Sequence, residues 1–163
     1  ITAVIGKDSV MQAAQKTFIS STFWTERIGP TAALKTLEIM EREKSWKKIT
    51  NIGKTIKSKW QQIADSFNIK ISHTGIPALA GFRFDSENNM AYKTLLTQEM
   101  LKRGFLADNR IYVSTKHSNE ILDNYFFNLS EVFKIIKDCE EDKININDIL
   151  LGPVCHSGFK RLN

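Results

Sequence analysis

The residues whose types could do chemistry lie in "FISSTFWTERIGPTAAL", residues 18–34, where four hydroxyl side chains precede an expected helix: Ser20, Ser21, Thr22 and Thr25. The helix is expected to begin at Gly29-Pro30, because proline is tolerated in a first turn, where its missing N–H leaves no bond unmade. A helix start exposes unpaired backbone N–H groups and the positive end of its dipole. Hydroxyls beside such a start could bind an anion such as phosphate. Serine and threonine are also ordinary helix caps, and the local chemistry by itself favours capping.

No other part of the sequence assembles a complete catalytic set. The chain has neither a G-x-S-x-G nucleophile motif nor a glycine-rich phosphate loop. Cys155 and His156 are adjacent, but no second pair lies at ligand spacing and a zinc site needs three or four ligands. We therefore expect no metal. Two cysteines, Cys139 and Cys155, are too few for a disulfide scaffold and fit a reducing cytoplasm.

Composition limits the class of partner. With 163 residues, 42% hydrophobic and 25% charged, the chain is expected to be a soluble globular protein. No apolar run is long enough to span a bilayer. The net charge is +5, but the lysines between residues 44 and 59 alternate with apolar positions at helical spacing. This pattern is typical of a solvated helix face, so we expect neither a nucleic-acid nor a membrane partner.

The sequence pattern of the first 45 residues does not predict a complete layer of helices or strands. Residues 1–6 alternate like a short buried strand, and Asp8 or Ser9 could cap a helix that runs through Ala14. An extended loop follows, and the helix from Gly29-Pro30 ends among residues 41–44. Because the chain begins on a strand without an initiator Met, we expect it to be a fragment whose first 45 residues pack on a missing segment.

The strongest periodic signal begins at residue 46. Apolar residues recur at spacings of three and four, which predicts one continuous stripe along a helix: Trp46, Ile49, Gly53, Ile56, Trp60, Ile63 and Phe67. The stripe is too short and too bulky for a coiled-coil seam, which favours packing against a sheet. Asn68 fits the left-handed position at which a helix ends.

The remaining pattern predicts strand, strand, helix, strand and helix. The expected positions are 69–72, 79–84, 90–103, a strand within 105–115, and a long helix capped by Ser118. That last helix should turn five residues inward: Leu122, Tyr125, Leu129, Val132 and Ile136. Residues 146–163 look like an irregular tail over the surface. From residue 46 onward the chain is therefore expected to be a small α/β domain.

Four stretches carry a resemblance to a known family. "AVIGKDSVMQAAQKTFISSTFWTERIGPTAALKTLE" resembles the segment that follows the cofactor lysine in class-III, fold-type-I, pyridoxal-phosphate-dependent aminotransferases, especially those related to glutamate-1-semialdehyde aminomutase. "GIPALAGFRF", "TQEMLKRGFLA" and "IYVSTKHSNEILDNYF" resemble the small C-terminal domain of the same family, in the same order. The resemblance covers most of the chain.

The resemblance implies a C-terminal fragment of an α/β enzyme. Residues 1–45 would be the end of the large cofactor-binding domain, with its phosphate-contacting loop, and residues 46–163 the small α/β domain. The parent would be a cytoplasmic homodimer that uses pyridoxal 5'-phosphate to transfer an amino group to or within a small carbonyl substrate. The cofactor lysine would lie upstream of Ile1, so this chain would contain no catalytic residue and need its missing large domain.

The resemblance also implies site residues. Thr22 matches the family's phosphate-binding threonine, with Ser21 beside it, and would contact the cofactor of the partner subunit. Thr25 competes with Thr22, because Ser-Ser replaces the family's usual Gly and the following proline lies further on. Arg83 could meet a substrate carboxylate or be an ordinary exposed strand arginine, whereas His117 is expected to cap or pack rather than catalyse. The functional alternative is a stand-alone, non-catalytic α/β interaction module.

Overall fold

The computed structural model describes residues 2–19, 22–23 and 25–158. The chain divides into two compact units, Ile1–Ser45 and Trp46–Asn163, called here the N-terminal unit and the C-terminal unit. The helices and strands are, in chain order, α1 (Asp8–Ala14), α2 (Ile28–Glu43), α3 (Ser45–Ser66), β1 (Ile71–Thr74), β2 (Leu79–Phe84), α4 (Asn89–Lys102), β3 (Arg110–Tyr112), α5 (Asn119–Glu140) and α6 (Ile146–Ile149).

The described part of the N-terminal unit contains two helices, α1 and α2. The prediction of a strand over residues 1–6 is wrong for residues 2–6, which the structure describes. Residues 2–7 have no regular structure, and Ile1 lies outside the described residues. A strand exists only through hydrogen bonds to a neighbouring strand, and the described part of this unit supplies none.

The start of α1 also differs from the expectation. Lys7 occupies the N-cap position and makes no side-chain cap. Asp8 lies inside the first turn, where its carboxylate accepts a hydrogen bond from Gln12 Nε2 at 3.1 Å. An acidic side chain is favourable there because it faces the positive end of the helix dipole.

The apolar stripe of α3 is confirmed as one side of a long helix. Ile56 and Trp60 are fully buried. At Gly53 the helix approaches the turn between β1 and β2 so closely that a Cβ would lie 1.9 Å from the Pro77 carbonyl oxygen, so only glycine fits. Asn68 ends the helix region with φ of 54°, as predicted.

Three antiparallel strands form a sheet in the order β1-β2-β3. The first strand begins two residues later than expected, because the Ile69 N–H bonds back to the Ala64 carbonyl at 2.9 Å and closes α3 instead. The register pairs Ser72 with Arg83 and Gly81 with Arg110. Side chains alternate across a strand, so Arg83 and its cross-strand partners lie on the face opposite to the core.

Helices cover the other face of the sheet. Phe82 and Phe84 are buried, and Phe82 meets Trp60 of α3 at 4.9 Å between ring centroids. Phe133 of α5 lies 6.0 and 5.5 Å from these two rings. The C-terminal unit is therefore a two-layer α/β structure, and the predicted order of helices and strands after residue 46 is confirmed.

The last helix follows the expectation, whereas the tail, which was expected to be irregular, begins with a turn of helix. Ser118 caps α5 by accepting a hydrogen bond from the Ile121 N–H at 3.3 Å. The five predicted inward residues of α5 are all buried. The tail contains one turn of helix, α6, and α4 holds it: Gln98 Nε2 donates to the Ile149 carbonyl at 2.9 Å, and the Leu151 N–H donates to Gln98 Oε1 at 2.8 Å.

Across the described part of the chain, no helix combines the length and apolarity that crossing a lipid bilayer requires.

Candidate functional site

The hydroxyl cluster singled out in the sequence lies between α1 and α2. Thr22 and Thr25 are both exposed in this loop. Within the described residues, neither hydroxyl has a hydrogen-bond partner, unlike that of Thr17, which donates to the Ala14 carbonyl at 2.8 Å. Ser20 and Ser21 lie outside the described residues, so the structure gives no position for Ser21. As far as the described residues show, these two threonine hydroxyls are available to an external acceptor.

The start of α2 already holds an anion, the carboxylate of Glu26. It accepts hydrogen bonds from the N–H groups of Ile28 and of Gly29, the latter at 3.1 Å. Pro30 has no N–H, and the Thr31 N–H is bonded to the Arg27 carbonyl at 2.9 Å. The first amides of α2 are therefore occupied by the chain itself.

This arrangement corrects one part of the predicted anion site, namely the role given to the start of α2. The sequence predicted that the loop hydroxyls and the helix start act together on one phosphate, but here Glu26 satisfies the helix start. A carboxylate at this end of a helix is stabilised by the dipole, which is why the chain's own anion settles there. An acidic residue three positions before Gly29-Pro30 is a sequence signal for such a cap.

Arg83 lies exposed on β2, on the open face of the sheet. Its Nε is 3.4 Å from Asp85 Oδ1, and Ser72 Oγ donates to the other oxygen of that carboxylate at 2.6 Å. An exposed ion pair is worth about 0–1 kcal/mol, so an incoming carboxylate could replace Asp85 at small cost. Arg83 is therefore paired weakly with Asp85 within the chain, and its geometry would allow it to bind another carboxylate.

Arg110 is a neighbouring cation that the sequence analysis did not single out. The register places it opposite Gly81, and its Cγ lies 3.8 Å from the position that a Cβ at Gly81 would take. The same hypothetical Cβ would lie 2.6 Å from Thr74 Oγ1, so a larger side chain would clash. No local pattern marks Arg110, because its place beside Gly81 depends on strand pairing.

His117 lies in the turn before α5. Its Nδ1 accepts a hydrogen bond from the Ser114 N–H at 3.2 Å, and Ser114 Oγ accepts one from the Lys116 N–H at 3.2 Å. These bonds close the turn that leads to the Ser118 cap. Over the described ranges, no three His, Cys, Asp or Glu side chains converge as they would to hold a metal ion.

Glu99 is the buried charged residue of the C-terminal unit, on α4. Lys102 Nζ and Arg103 Nη1 approach its two carboxylate oxygens at 2.6 and 3.0 Å. Burial by itself would raise the pKa of this carboxyl, but hydrogen bonds from Lys102, Gln98 and Arg103 outweigh burial and lower the pKa below its ordinary value. The group is therefore a fixed anion that braces the end of α4 and lies beside Gln98, which holds the tail.

Comparison with known proteins bears on the whole chain. No family model matches it. The chain is 27% identical over 128 residues to a 3-aminobutyryl-CoA aminotransferase of Cloacimonas acidaminovorans (strain Evry), a match that covers 75% of this chain and 31% of the relative. The chain thus spans less than a third of the length of that curated relative.

The fold is also similar to a solved structure, the PLP internal aldimine form of the Sphingopyxis sp. MTA144 FumI protein. The TM-score is 0.73 at 16% identity, over 90% of this chain and 36% of that chain. The predicted resemblance to pyridoxal-phosphate-dependent aminotransferases is confirmed by the sequence relative. The predicted α/β fold is confirmed, because it is the fold of part of the solved neighbour.

Proposed function

We propose that the chain is the C-terminal portion of a class-III pyridoxal-phosphate-dependent aminotransferase. The observation that carries this proposal is the 128-residue similarity to an aminotransferase, which runs along three quarters of the chain. Residues 1–45 are proposed to end the large cofactor-binding domain and to include the phosphate-contacting loop. Residues 46–163 are proposed to be the small domain. The name of the relative supports transfer of the amino group between two molecules rather than within one.

The proposed cofactor is pyridoxal 5'-phosphate, which when bound supplies the electron sink for amino-group transfer. Thr22, with Ser21 beside it, is proposed to donate hydrogen bonds to the phosphate of the cofactor in the partner subunit. The exposed hydroxyl of Thr22 supports this role, and Thr25 offers the same chemistry three residues along. Because Glu26 occupies the first amides of α2, the side-chain hydroxyls, and not the helix start, would make the contact.

The proposed partners follow from the same assignment. They are a missing N-terminal large domain, a second identical subunit, and small amino and carbonyl substrates. The cytoplasm is the proposed location, which two unpaired cysteines support: Cys139, whose thiol pKa is raised by burial, and Cys155.

The decisive experiment is to determine the coding sequence upstream of Ile1 and to purify the encoded full-length protein. We expect a lysine-bearing large domain directly upstream, visible absorbance from bound cofactor, and exchange of an amino group between an amino donor and a keto acid. A gene without such a domain would overturn the proposal and leave the stand-alone module.

The 163-residue chain itself provides a second test. We expect that no lysine within it forms a specific covalent bond with pyridoxal phosphate, because the lysine of the proposed enzyme lies upstream. Incubation with the cofactor, borohydride reduction and peptide mapping would measure this. A single lysine of this chain labelled stoichiometrically would contradict the assignment.

A further inference from the structure

A surface pocket of about 340 Å³ lies in the C-terminal unit, between the segment before β3 and the first turns of α5. This volume is at the lower end of the range of about 300–1,000 Å³ that is typical of small-molecule sites. Every residue that lines it belongs to the C-terminal unit, so the pocket does not depend on the loop that is proposed to contact the cofactor.

The walls of the pocket are apolar and well supported. Phe105, Ile111, Leu122 and Tyr125 line it. Phe105 and Tyr125 pack edge to face at 6.0 Å between ring centroids. The Tyr125 hydroxyl is turned away to the core, where it accepts a hydrogen bond from Trp60 Nε1 at 3.0 Å. These walls are part of the folded core and are therefore present before any ligand arrives.

The polar side chains of the pocket can all donate a hydrogen bond. Arg110, Tyr112 and His117 line it, and none of the lining residues is Asp or Glu. Because His117 Nδ1 accepts the Ser114 N–H, a neutral imidazole carries its proton on Nε2, which makes that atom a donor. Within the described residues, no carboxylate lies at ion-pair distance from Arg110.

The nearby acidic side chain does not cancel this charge. Asp108 has its carboxylate 3.5 Å from Lys93 Nζ, and it also accepts a hydrogen bond from the Asn109 N–H at 2.6 Å. Its charge also acts on Tyr125 in the pocket wall, where it helps to raise the pKa of the hydroxyl, but it forms its ion pair with Lys93 and not with Arg110. Arg110 is thus a charged side chain of the pocket without an ion-pair partner among the described residues.

We propose that this pocket binds a small organic carboxylate with an apolar, preferably aromatic, body. The body fits between Phe105, Ile111 and Tyr125, and the carboxylate meets the Arg110 guanidinium, with His117 Nε2–H as a second donor. A guanidinium matches the planar carboxylate with two parallel hydrogen bonds, which an uncharged amide cannot reproduce. The proposal does not rest on the aminotransferase assignment, and its test needs no cofactor.

The test uses the full 163-residue chain and 3-phenylpropanoate as the probe. Amide correlation NMR spectra are recorded during titration, with 3-phenylpropanamide as the uncharged probe of the same shape. We expect saturable shifts at the amides of residues 105–107, 111 and 121, with millimolar affinity, which is what a ligand of this size attains. The amide should bind at least about fivefold more weakly.

Two matched arginine variants locate the charge. Arg110→Gln should raise the Kd for 3-phenylpropanoate at least about fivefold, whereas Arg42→Gln, at an exposed arginine of α2 in the N-terminal unit, should change it less than about twofold. Retained chemical-shift dispersion shows that each variant is folded. Equal binding of the two probes, an equal effect of the two variants, or the absence of saturable shifts at the pocket would each overturn the proposal. So would shifts at the pocket amides that follow protein concentration instead of ligand, because a second copy would then occupy the pocket.

Discussion

Thr22 is the side chain on which the proposed cofactor contact depends. In the full-length parent, Thr22→Ala should lower the affinity for pyridoxal phosphate about ten- to a hundredfold, because a charge-assisted hydrogen bond contributes about 1.5–3 kcal/mol. Folding should survive, since the loop hydroxyl is exposed and α2, which begins at Ile28, keeps Pro30 in its first turn. Titration of the apo-enzyme, followed by the absorbance of the bound cofactor, measures the affinity.

Thr25→Ala is the matched control for this prediction. It removes the same type of hydroxyl from the same exposed loop, and it should leave the affinity unchanged. If Thr25→Ala weakens binding and Thr22→Ala does not, the contact belongs to Thr25. If neither variant changes the affinity, the loop has no role in binding the phosphate.

Glu99 gives a prediction about acid stability. Its pKa is lowered in the folded chain, so its ionised form contributes stability above the ordinary pKa of glutamate, about 4.3, and that contribution is lost as the pH falls through the folded value. Glu99→Gln should therefore destabilise the chain by about 1 kcal/mol at pH 7, and the difference should be smaller at about pH 3, below the ordinary pKa of glutamate. Urea unfolding of both proteins at the two pH values measures it.

Glu131→Gln on α5 is the control for Glu99, because Glu131 is exposed. It should change the free energy of unfolding by less than about 0.5 kcal/mol at either pH. A destabilisation by Glu99→Gln that is the same at both pH values would show that packing, and not the charge, is responsible.

At the scale of elements, the start of α2 depends on Glu26. Glu26→Ala removes the acceptor of the Ile28 and Gly29 amides, which should cost the first turn about 1 kcal/mol, as loss of a capping side chain does. Hydrogen exchange at these two amides should then be about fivefold faster, as NMR can measure.

Glu38→Ala, further along α2, is the comparison for Glu26. Among the described residues Glu38 forms its ion pair with Lys35, on the exposed surface, so its removal should leave exchange at Ile28 and Gly29 unchanged. If both variants accelerate exchange at these amides equally, the effect is a general loss of helix stability, and Glu26 does not specifically cap the start of α2.

At the scale of the whole molecule, the N-terminal unit lacks a core of its own. None of its described residues is buried, and large apolar side chains such as Ile5 and Phe18 are 89% and 93% exposed. Apolar surface exposed in this way marks a contact with another chain or domain. We therefore expect the isolated 163-residue chain to self-associate, as light scattering across a range of concentrations would show.

Two substitutions make this prediction specific. Phe18→Ser together with Phe23→Ser should reduce the association, because both side chains lie in the exposed loop before α2. Leu106→Ser, which removes an equally exposed side chain from the C-terminal unit, is the control. A chain that stays monomeric at high concentration would contradict the assignment of residues 1–45 to a larger domain.

The sequence by itself determined most of the helices and strands after residue 45. Apolar spacing marked the buried side of α3 and of α5, and Ser118 and Asn68 marked ends that the structure confirms. These features are local: a helix and its caps depend on residues within a few positions of one another. The resemblance to an aminotransferase was also carried by stretches of consecutive residues, and the sequence relative confirms it.

Only the tertiary structure decided the contacts between distant residues. Strand pairing placed Arg110 beside Gly81 and at the edge of the pocket. The strand predicted over residues 1–6 is missing at residues 2–6, because the described residues supply no partner strand there. The Glu26 carboxylate settled on the α2 amides where hydroxyls and phosphate were expected. The physical reason is that pairing and charge compensation depend on which groups the folded chain brings together, and periodicity along the sequence does not encode this.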